Sequence, residues 1–341
     1  MMKAIILCDH SLDPRLRKRT KWLGESGYDV SIYTDSNRGK HFSNNEFFEN
    51  DLSGLTVNDL KDIDLVYISG AKVILQKFIL IFNLSKENIN VVYEIPDLPL
   101  RSHFNFINKI ILFLFSLVVQ VLFSNVVVTS GAFIRFLPKN KNYFLCENLP
   151  PDNLINNQVG DSLAIDNKLK VGFVGALRYP HQMLLLIKYC VDNDYIALFF
   201  GGPKENEIKL RSLCNENSLI IESNVEFHGA YDQNELSEIY GKIDFVYSVY
   251  DAKQPNVRLA LPNKLYEAQL FKTPIIVAKN TYLSECVSEL EVGFSVDSTD
   301  YNKFSDDMNE GLKMSFLIDP SLVEGKIKSS KSDFSQWIEK L

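Results

Sequence analysis

The sequence predicts an α/β protein made of two doubly wound domains, and three observations support this class. Short apolar segments alternate with amphipathic ones, which is typical of a parallel sheet covered by helices on both faces. The alternation stops in a polar, turn-rich stretch at 148–167 and then starts again. The length of 341 residues suits two such domains better than one. We therefore predict domains over 1–155 and 165–325.

The first half contains five predicted strands. Residues 3–8 form the first, and a helix follows from Asp13 to about Ser26, since Pro14 suits the first turn and Gly27 stands just past the end. The other strands are predicted at 28–34, 64–69, 90–93 and 125–129.

The second half repeats this pattern after the linker. Helices fit between its strands, for example at 235–242 and 264–271. The strands are predicted at 170–174, 197–200, 225–228, 245–248 and 275–278.

The segment 106–123 is apolar around its whole circumference, beyond what one core-facing stripe requires. Only about ten residues separate Lys109 from Gln120, whereas a transmembrane helix needs about 20 apolar residues. We therefore expect a helix that is buried in the core of the first domain. Partial contact with a bilayer is the alternative.

Charge, cysteines and the first residues exclude several classes of protein. A net charge of −7 argues against a general nucleic-acid binder, which carries a basic stripe. The five cysteines contain no CxxC pair, which favours reduced, buried thiols in a cytosolic protein. Residues 1–10 are apolar too briefly for a signal peptide, so we expect a cytoplasmic protein.

Loops that follow the strands of the second half are the candidate ligand site, because ligands of such sheets bind beyond the carboxyl ends of the strands. Gly175 lets the backbone approach a ligand closely, and Arg178 could clamp phosphate oxygens. Gly201 follows the next strand. Each of these three signals is also compatible with an ordinary surface loop.

The run Pro262-Asn263-Lys264-Leu265-Tyr266-Glu267 is a sharper signal. Asn263 suits a helix start, where free N–H groups favour an anion. Lys264 in the first turn opposes the helix dipole unless an anion binds there. Glu267 could accept hydrogen bonds from a ribose diol or bond back to the helix start in a capping box. The spacing leaves both roles open.

The motifs of the second half resemble, in order and spacing, the C-terminal domain of GT-B glycosyltransferases, especially the family 4-like group. They are Val171-Gly172-Phe173-Val174-Gly175-Ala176-Leu177-Arg178, Phe199-Phe200-Gly201-Gly202, Val225-Glu226-Phe227-His228-Gly229, Glu238-Ile239-Tyr240-Gly241-Lys242-Ile243-Asp244, Pro262-Asn263-Lys264-Leu265-Tyr266-Glu267-Ala268 and Thr273-Pro274-Ile275-Ile276-Val277-Ala278. Asp13-Pro14-Arg15 and the turn at 23–30 resemble the first βα unit of that family. The resemblance covers nearly the whole chain.

This resemblance implies two Rossmann-like domains that face a cleft, with a last helix, 326–341, that crosses back and buries Trp337 and Ile338. It implies transfer of a hexose-type sugar from a UDP- or GDP-linked donor to a saccharide or lipid-linked saccharide, in surface polysaccharide synthesis. No cofactor beyond this donor substrate is implied.

The resemblance also implies roles for single residues. Arg178 and Lys264 would neutralise the diphosphate, Glu267 would hold the ribose, and His228 would lie near the base. Two positions depart from the family pattern. Leu259 stands where retaining members often carry a glutamate, and His181 stands nearest to a usual lysine.

The acceptor side is expected in the first domain. Glu94 and Asp97 follow a strand, and either carboxylate could deprotonate an acceptor hydroxyl, although Asp97 could equally cap a helix or turn. Asp13 and His10 stand in the first loop, and Asp13 is a third candidate for the base. Arg15 could reach a phosphate of donor or acceptor, or remain solvated.

The pair Asp62 and Asp64 matches a metal-binding DxD pattern, but Asp64 leads directly into a strand. Because Arg178 and Lys264 would neutralise the phosphates, we expect no metal. The apolar segment 106–123 and nearby Arg101, Lys109 and Arg135 indicate peripheral contact with the inner face of a membrane. A nucleotide-sugar epimerase of the same fold and a degenerate, non-catalytic nucleotide-binding protein are the alternatives.

Overall fold

The computed structural model describes residues 1–9, 13–35, 49–84, 89–100, 106–155 and 168–341. The chain divides into two units. Unit 1 comprises Met1–Asn148 and Ser329–Leu341, and unit 2 comprises Leu149–Lys328. Our boundary assigned 149–155 to the first domain. These residues lie in unit 2 instead, because Leu154 is buried in its core.

Unit 1 is built on a parallel sheet of seven strands, counted over the described residues, in the order β3-β2-β1-β4-β5-β6-β7. The strands are β1 (Met2–Cys8), β2 (Tyr28–Thr34), β3 (Glu49–Asp51), β4 (Leu65–Ser69), β5 (Asn90–Ile95), β6 (Asn125–Val128) and β7 (Asn142–Leu145). The helices are α1 (Pro14–Glu25), α2 (Ala71–Gln76), α3 (Phe78–Leu84), α4 (Phe106–Leu122) and the C-terminal part of α12 (Ser321–Glu339). The sequence did not predict β3 and β7, which are short edge strands.

Aromatic side chains hold the end of α12 in unit 1. The Phe334 ring lies 5.4 Å from the Trp22 ring of α1, and it is fully buried. Ile338 is also buried, whereas Trp337 is half-buried and donates from Nε1 to Asn142 Oδ1 at 3.0 Å. These contacts tie the last turns of the chain to α1 and β7.

Helix α4 is only half buried, so our expectation that most of its surface lies in the core is wrong. Its inner face packs on the sheet, where Tyr93 of β5 contacts Phe115 and also Phe123, which follows the last residue of the helix. On the outer face, Phe106 is 74% exposed and Phe113 is 63% exposed. The apolar sequence could not reveal this, because exposure depends on whether another layer covers the helix. Among the described helices, none is long and apolar enough to cross a membrane.

Unit 2 contains a parallel sheet of six described strands in the order β10-β9-β8-β11-β12-β13. The strands are β8 (Lys170–Val174), β9 (Ile196–Phe200), β10 (Val225–Gly229), β11 (Phe245–Ser248), β12 (Ile275–Ala278) and β13 (Gly293–Val296). The helices are α5 (Pro180–Asp192), α6 (Lys204–Glu216), α7 (Leu236–Tyr240), α8 (Pro255–Leu259), α9 (Lys264–Leu270), α10 (Tyr282–Leu290) and α11 (Tyr301–Gly311), followed by the first part of α12.

The strands of unit 2 separate two apolar cores, one on each face of the sheet. Val174 and Val246 point into one core, and their neighbours Phe173 and Tyr247 point into the other. This follows from the alternation of side chains along a strand. The predicted class, two doubly wound α/β domains, is confirmed.

Candidate active site

Three glycines shape the carboxyl edge of the sheet in unit 2. Gly175, Gly201 and Gly229 stand at the ends of β8, β9 and β10, with φ of +130°, +137° and +75°. A Cβ atom on Gly201 would lie 1.9 Å from the Gly175 carbonyl oxygen, so no other residue fits there. The Gly201 amide also donates to the Gly229 carbonyl at 2.5 Å. The three loops therefore form one packed strip of bare backbone.

Lys264, the first residue of α9, lies against this strip. A Cβ atom on Gly175 would stand 2.8 Å from Lys264 Nζ, and the same Nζ is 5.5 Å from the centre of the Phe173 ring. Burial disfavours the charge on Lys264, but Tyr250, Glu267 and Tyr231 outweigh burial and raise its pKa. The strand ends thus meet a protonated amine.

Glu267 lies one turn farther along α9, in a buried position. Its Oε2 atom accepts a hydrogen bond from the Tyr240 hydroxyl at 2.9 Å. Burial raises the pKa of Glu267, while Lys264 and Tyr240 act in the opposite direction. The capping box is not formed, since Asn263 has helical φ and ψ and its side chain makes no cap hydrogen bond. The carboxylate is therefore positioned by α7 and available for a role other than capping.

The remaining predicted residues of unit 2 lie on exposed positions. His228 stacks on Phe200 at 4.4 Å, and its Nε2 atom is 3.2 Å from Glu226 Oε2. Arg178 is exposed, in a loop held by the Leu177 amide, which donates to the Gly202 carbonyl at 2.9 Å. The structure brings Gly175, Gly201, Lys264 and Glu267 together. Asn263 joins this cluster through its backbone, since its carbonyl accepts from the Glu267 amide at 2.9 Å. Among the described residues, the side chains of Arg178 and His228 make no hydrogen bond or ion pair with Lys264 or Glu267.

Asp13 and Arg15 form a local pair in unit 1. Asp13 is the N-cap of α1 and accepts from the Arg15 amide at 2.9 Å and from its Nε atom at 3.0 Å. Burial disfavours the charge on Arg15, but Asp13, Glu94 and Asp97 together raise its pKa. Asp13 is thus engaged by its own helix. His10 lies outside the described residues.

Glu94 is fully buried in unit 1. Its Oε1 atom lies 3.2 Å from Arg19 Nη2, and both side chains are inaccessible to solvent. A buried carboxylate that is paired with an arginine is out of reach of an acceptor hydroxyl, so Glu94 is unsuited to the role of base. Asp97, on the bend after β5, is exposed. Asp64 accepts from the Lys3 amide at 2.7 Å, which fits a structural role.

Sequence reasoning missed four residues that hold these sites. Arg19 shares the inward stripe of α1 with Leu16 and Leu23, at spacings of three and four, and this position was a readable signal of burial. Tyr240 and the two tyrosines beside Lys264, Tyr231 and Tyr250, come from separate elements, so no local spacing could indicate them.

Comparisons with known proteins agree with this architecture. Residues 156–321 match the family described as glycosyl transferases group 1. A search of curated protein sequences gave no match. HepE of Anabaena, solved in complex with UDP and glucose, is 16% identical with a TM-score of 0.74, and the alignment covers 100% of both chains.

Two further structures have the same fold. Sucrose-phosphate synthase from Thermosynechococcus elongatus is 15% identical with a TM-score of 0.66, over 98% of this chain and 94% of the other. The UDP-GlcNAc 2-epimerase of Methanocaldococcus jannaschii is 12% identical with a TM-score of 0.58, over 99% of this chain and 100% of the other. Residues 156–321 therefore match the group 1 glycosyl transferase family, within a chain that has the two-domain GT-B fold.

Proposed function

We propose that the chain is a glycosyltransferase that binds a nucleotide-sugar at the carboxyl edge of the unit 2 sheet. The observation that carries this proposal is the position of Lys264 Nζ against the bare backbone of Gly175, beside the buried carboxylate of Glu267. A cation next to backbone without side chains suits a diphosphate, which needs close approach and neutralisation.

Each residue of this cluster has a role in the proposal. Lys264, together with Arg178 on the neighbouring loop, neutralises the diphosphate that leaves in the reaction. Tyr240 occupies Glu267 Oε2, and the carboxylate accepts hydrogen bonds from the ribose diol through its other oxygen. His228 and its partner Phe200 offer a flat surface near the base. Because two cations already face the phosphates, we propose that no metal is required.

The donor proposal is a UDP-linked hexose. It is supported by the family match of residues 156–321 and by HepE, a protein of the same fold that was solved with UDP and glucose. We propose a saccharide or lipid-linked saccharide as the acceptor, extended at the cytoplasmic face of a membrane. The hydroxyl of the acceptor attacks the anomeric carbon, the nucleoside diphosphate leaves, and Asp97 takes the proton.

Asp97 is the base in this proposal because it is the exposed carboxylate of the three candidates, while Glu94 is buried and Asp13 caps α1. Asp97→Asn should lower kcat by about 10²–10⁴-fold and leave the Kd of the donor unchanged. A normal kcat in this variant would remove Asp97 from the mechanism.

The decisive experiment incubates the protein with UDP-glucose or a GDP-linked hexose, with and without saccharide acceptors, and measures the nucleoside diphosphate released and the sugar product. Acceptor-dependent release that survives EDTA supports the proposal, and release abolished by EDTA would contradict metal independence. Conversion of the donor sugar without transfer would indicate an epimerase. The absence of both nucleotide binding and turnover would indicate a non-catalytic protein.

A further inference from the structure

Helix α4 presents an apolar surface to the outside of unit 1. Seven of its large apolar side chains are between 44% and 74% exposed, and six of the seven recur at the three- and four-residue spacing of one helix face. We call these six the α4 face, and they are Phe106, Ile110, Phe113, Leu114, Leu117 and Val121. The opposite side of the helix, including Leu112 and Phe115, packs into the unit. The helix therefore has two apolar sides, and only one of them has a partner among the described residues.

A second exposed apolar surface lies on the same side of the sheet. Strands β4, β5 and β6 are consecutive, parallel neighbours. Right-handed crossovers that advance in one direction place their helices on one face, so α2 and α3 lie on the same side as α4. The exposed side chains of this second surface, the α2–α3 face, are Leu75, Phe78, Ile79 and Phe82. Leu75 is 80% exposed and Ile79 is 77% exposed.

The segments that carry or border these two faces are basic, although Lys72 pairs with Asp35 of a neighbouring segment. The segments 71–84, 106–122 and 131–145, which connect or follow β4, β5 and β6, contain six basic residues and no acidic residue. The whole chain, in contrast, has a net charge of −7. Lys109, Arg135 and Lys139 are exposed. These three side chains form a cationic rim beside the two apolar faces. Such a surface is complementary to a partner that is apolar inside and negatively charged at its surface.

We propose that the α4 face and the α2–α3 face dock on the surface of an anionic lipid bilayer, with their side chains among the headgroups and upper acyl chains. An interfacial helix usually keeps a polar face toward water. In α4, the side that would face water in an isolated interfacial helix packs on the sheet of unit 1. Both sides of the helix therefore meet apolar surroundings when the α4 face is in the bilayer, which explains why the helix is apolar on all sides. A second copy of the chain is a poorer occupant, because it would bring two cationic rims together. The inference draws on the proposed function only in linking this surface to a lipid-linked acceptor.

The test is flotation of the full-length protein with vesicles, without donor or acceptor, so its outcome is independent of the transferase assay. We expect the protein to float with vesicles of phosphatidylcholine and phosphatidylglycerol at low salt and much less with pure phosphatidylcholine or at high salt. Phe113→Ser/Leu114→Ser should lower the partition coefficient by at least about tenfold. Lys109→Glu should lower it by roughly tenfold.

The matched control is Ile208→Ser/Ile220→Ser, which removes two apolar side chains of unit 2 that are 58% and 74% exposed. This variant should float like the wild type, and thermal unfolding should show that all variants are folded. No flotation of the wild type, or equal loss in the control, would overturn the proposal. So would a dimer in sedimentation that Phe113→Ser/Leu114→Ser dissociates while vesicle binding stays unchanged.

Discussion

Replacement of Lys264 by methionine tests the proposed donor site most directly. Methionine keeps an unbranched apolar side chain of similar length, and it removes the ammonium group that lies next to Gly175 and 5.5 Å from the centre of the Phe173 ring. The variant therefore isolates the charge. We expect it to fold, since Lys264 is half-buried and its removal leaves no cavity large enough to destabilise unit 2.

The magnitude follows from the interaction that is lost. A hydrogen bond to a charged group contributes about 1.5–3 kcal/mol, which corresponds to about 10- to 150-fold in Kd. Because Lys264 is partly open to solvent, the lower half of this range is expected. The loss should appear for UDP and be nearly absent for uridine, which has no phosphate for the amine to contact.

Isothermal titration of both ligands measures the effect. The matched control is Lys242→Ala, in the same unit, whose Nζ lies 2.6 Å from Glu238 Oε1 in an exposed pair. Such surface pairs contribute about 0–1 kcal/mol, so UDP binding should be unchanged. Equal losses for UDP and uridine in Lys264→Met would show that Lys264 is structural and would refute the diphosphate role.

Three further predictions concern the donor cluster of unit 2 and the buried Arg19–Glu94 pair of unit 1. Gly175→Ala should weaken UDP binding about as much as Lys264→Met, because its Cβ would stand 2.8 Å from the Lys264 amine. Gly229→Ala is the control, because Gly229 also has a positive φ but its Cβ would meet no other atom, so this variant should bind UDP more tightly than Gly175→Ala. Equal UDP affinities of the two variants would contradict the prediction. Arg19→Met and Glu94→Gln should each lower the free energy of unfolding, measured in urea, by about 3–5 kcal/mol, and the double variant should lower it by less than the sum. If Glu94→Gln lost turnover without losing stability, Glu94 would instead be catalytic. Burial raises the pKa of Glu267, so its ionisation opposes folding. Glu267→Gln should therefore raise Tm relative to wild type near pH 7, but not near about pH 4, where the carboxyl group is protonated in the folded protein. The same variant should weaken the binding of UDP and leave the binding of phosphate unchanged. A Tm difference that does not change with pH would contradict the last prediction.

Much of the fold could be predicted from the sequence because the signals of its strands and helices are local. A run such as 170–174 is apolar and short, and its period and length predict a buried strand without reference to the rest of the chain. The edge strands β3, β7 and β13 were missed because each has only three or four residues and lacks such a run. The glycines that follow the strands and the spacing of Lys264 and Glu267 are also local signals, so the sequence could predict the main members of the donor cluster.

What the tertiary structure decided is which side chains are covered. Glu94 and Asp97 look equivalent in sequence, but Glu94 lies within β5, where Arg19 of α1 closes over it, whereas Asp97 lies on the exposed bend after the strand. Tyr240 reaches Glu267 from 27 residues away along the chain, a distance that no spacing rule spans. Helix α4 is apolar on all sides in sequence, and only the packing of its neighbours determines that one side meets the core while the other is left exposed. Sequence by itself thus determined the elements and the types of residue at the strand ends, whereas burial and partnership required the folded chain, because both depend on residues that are distant in sequence.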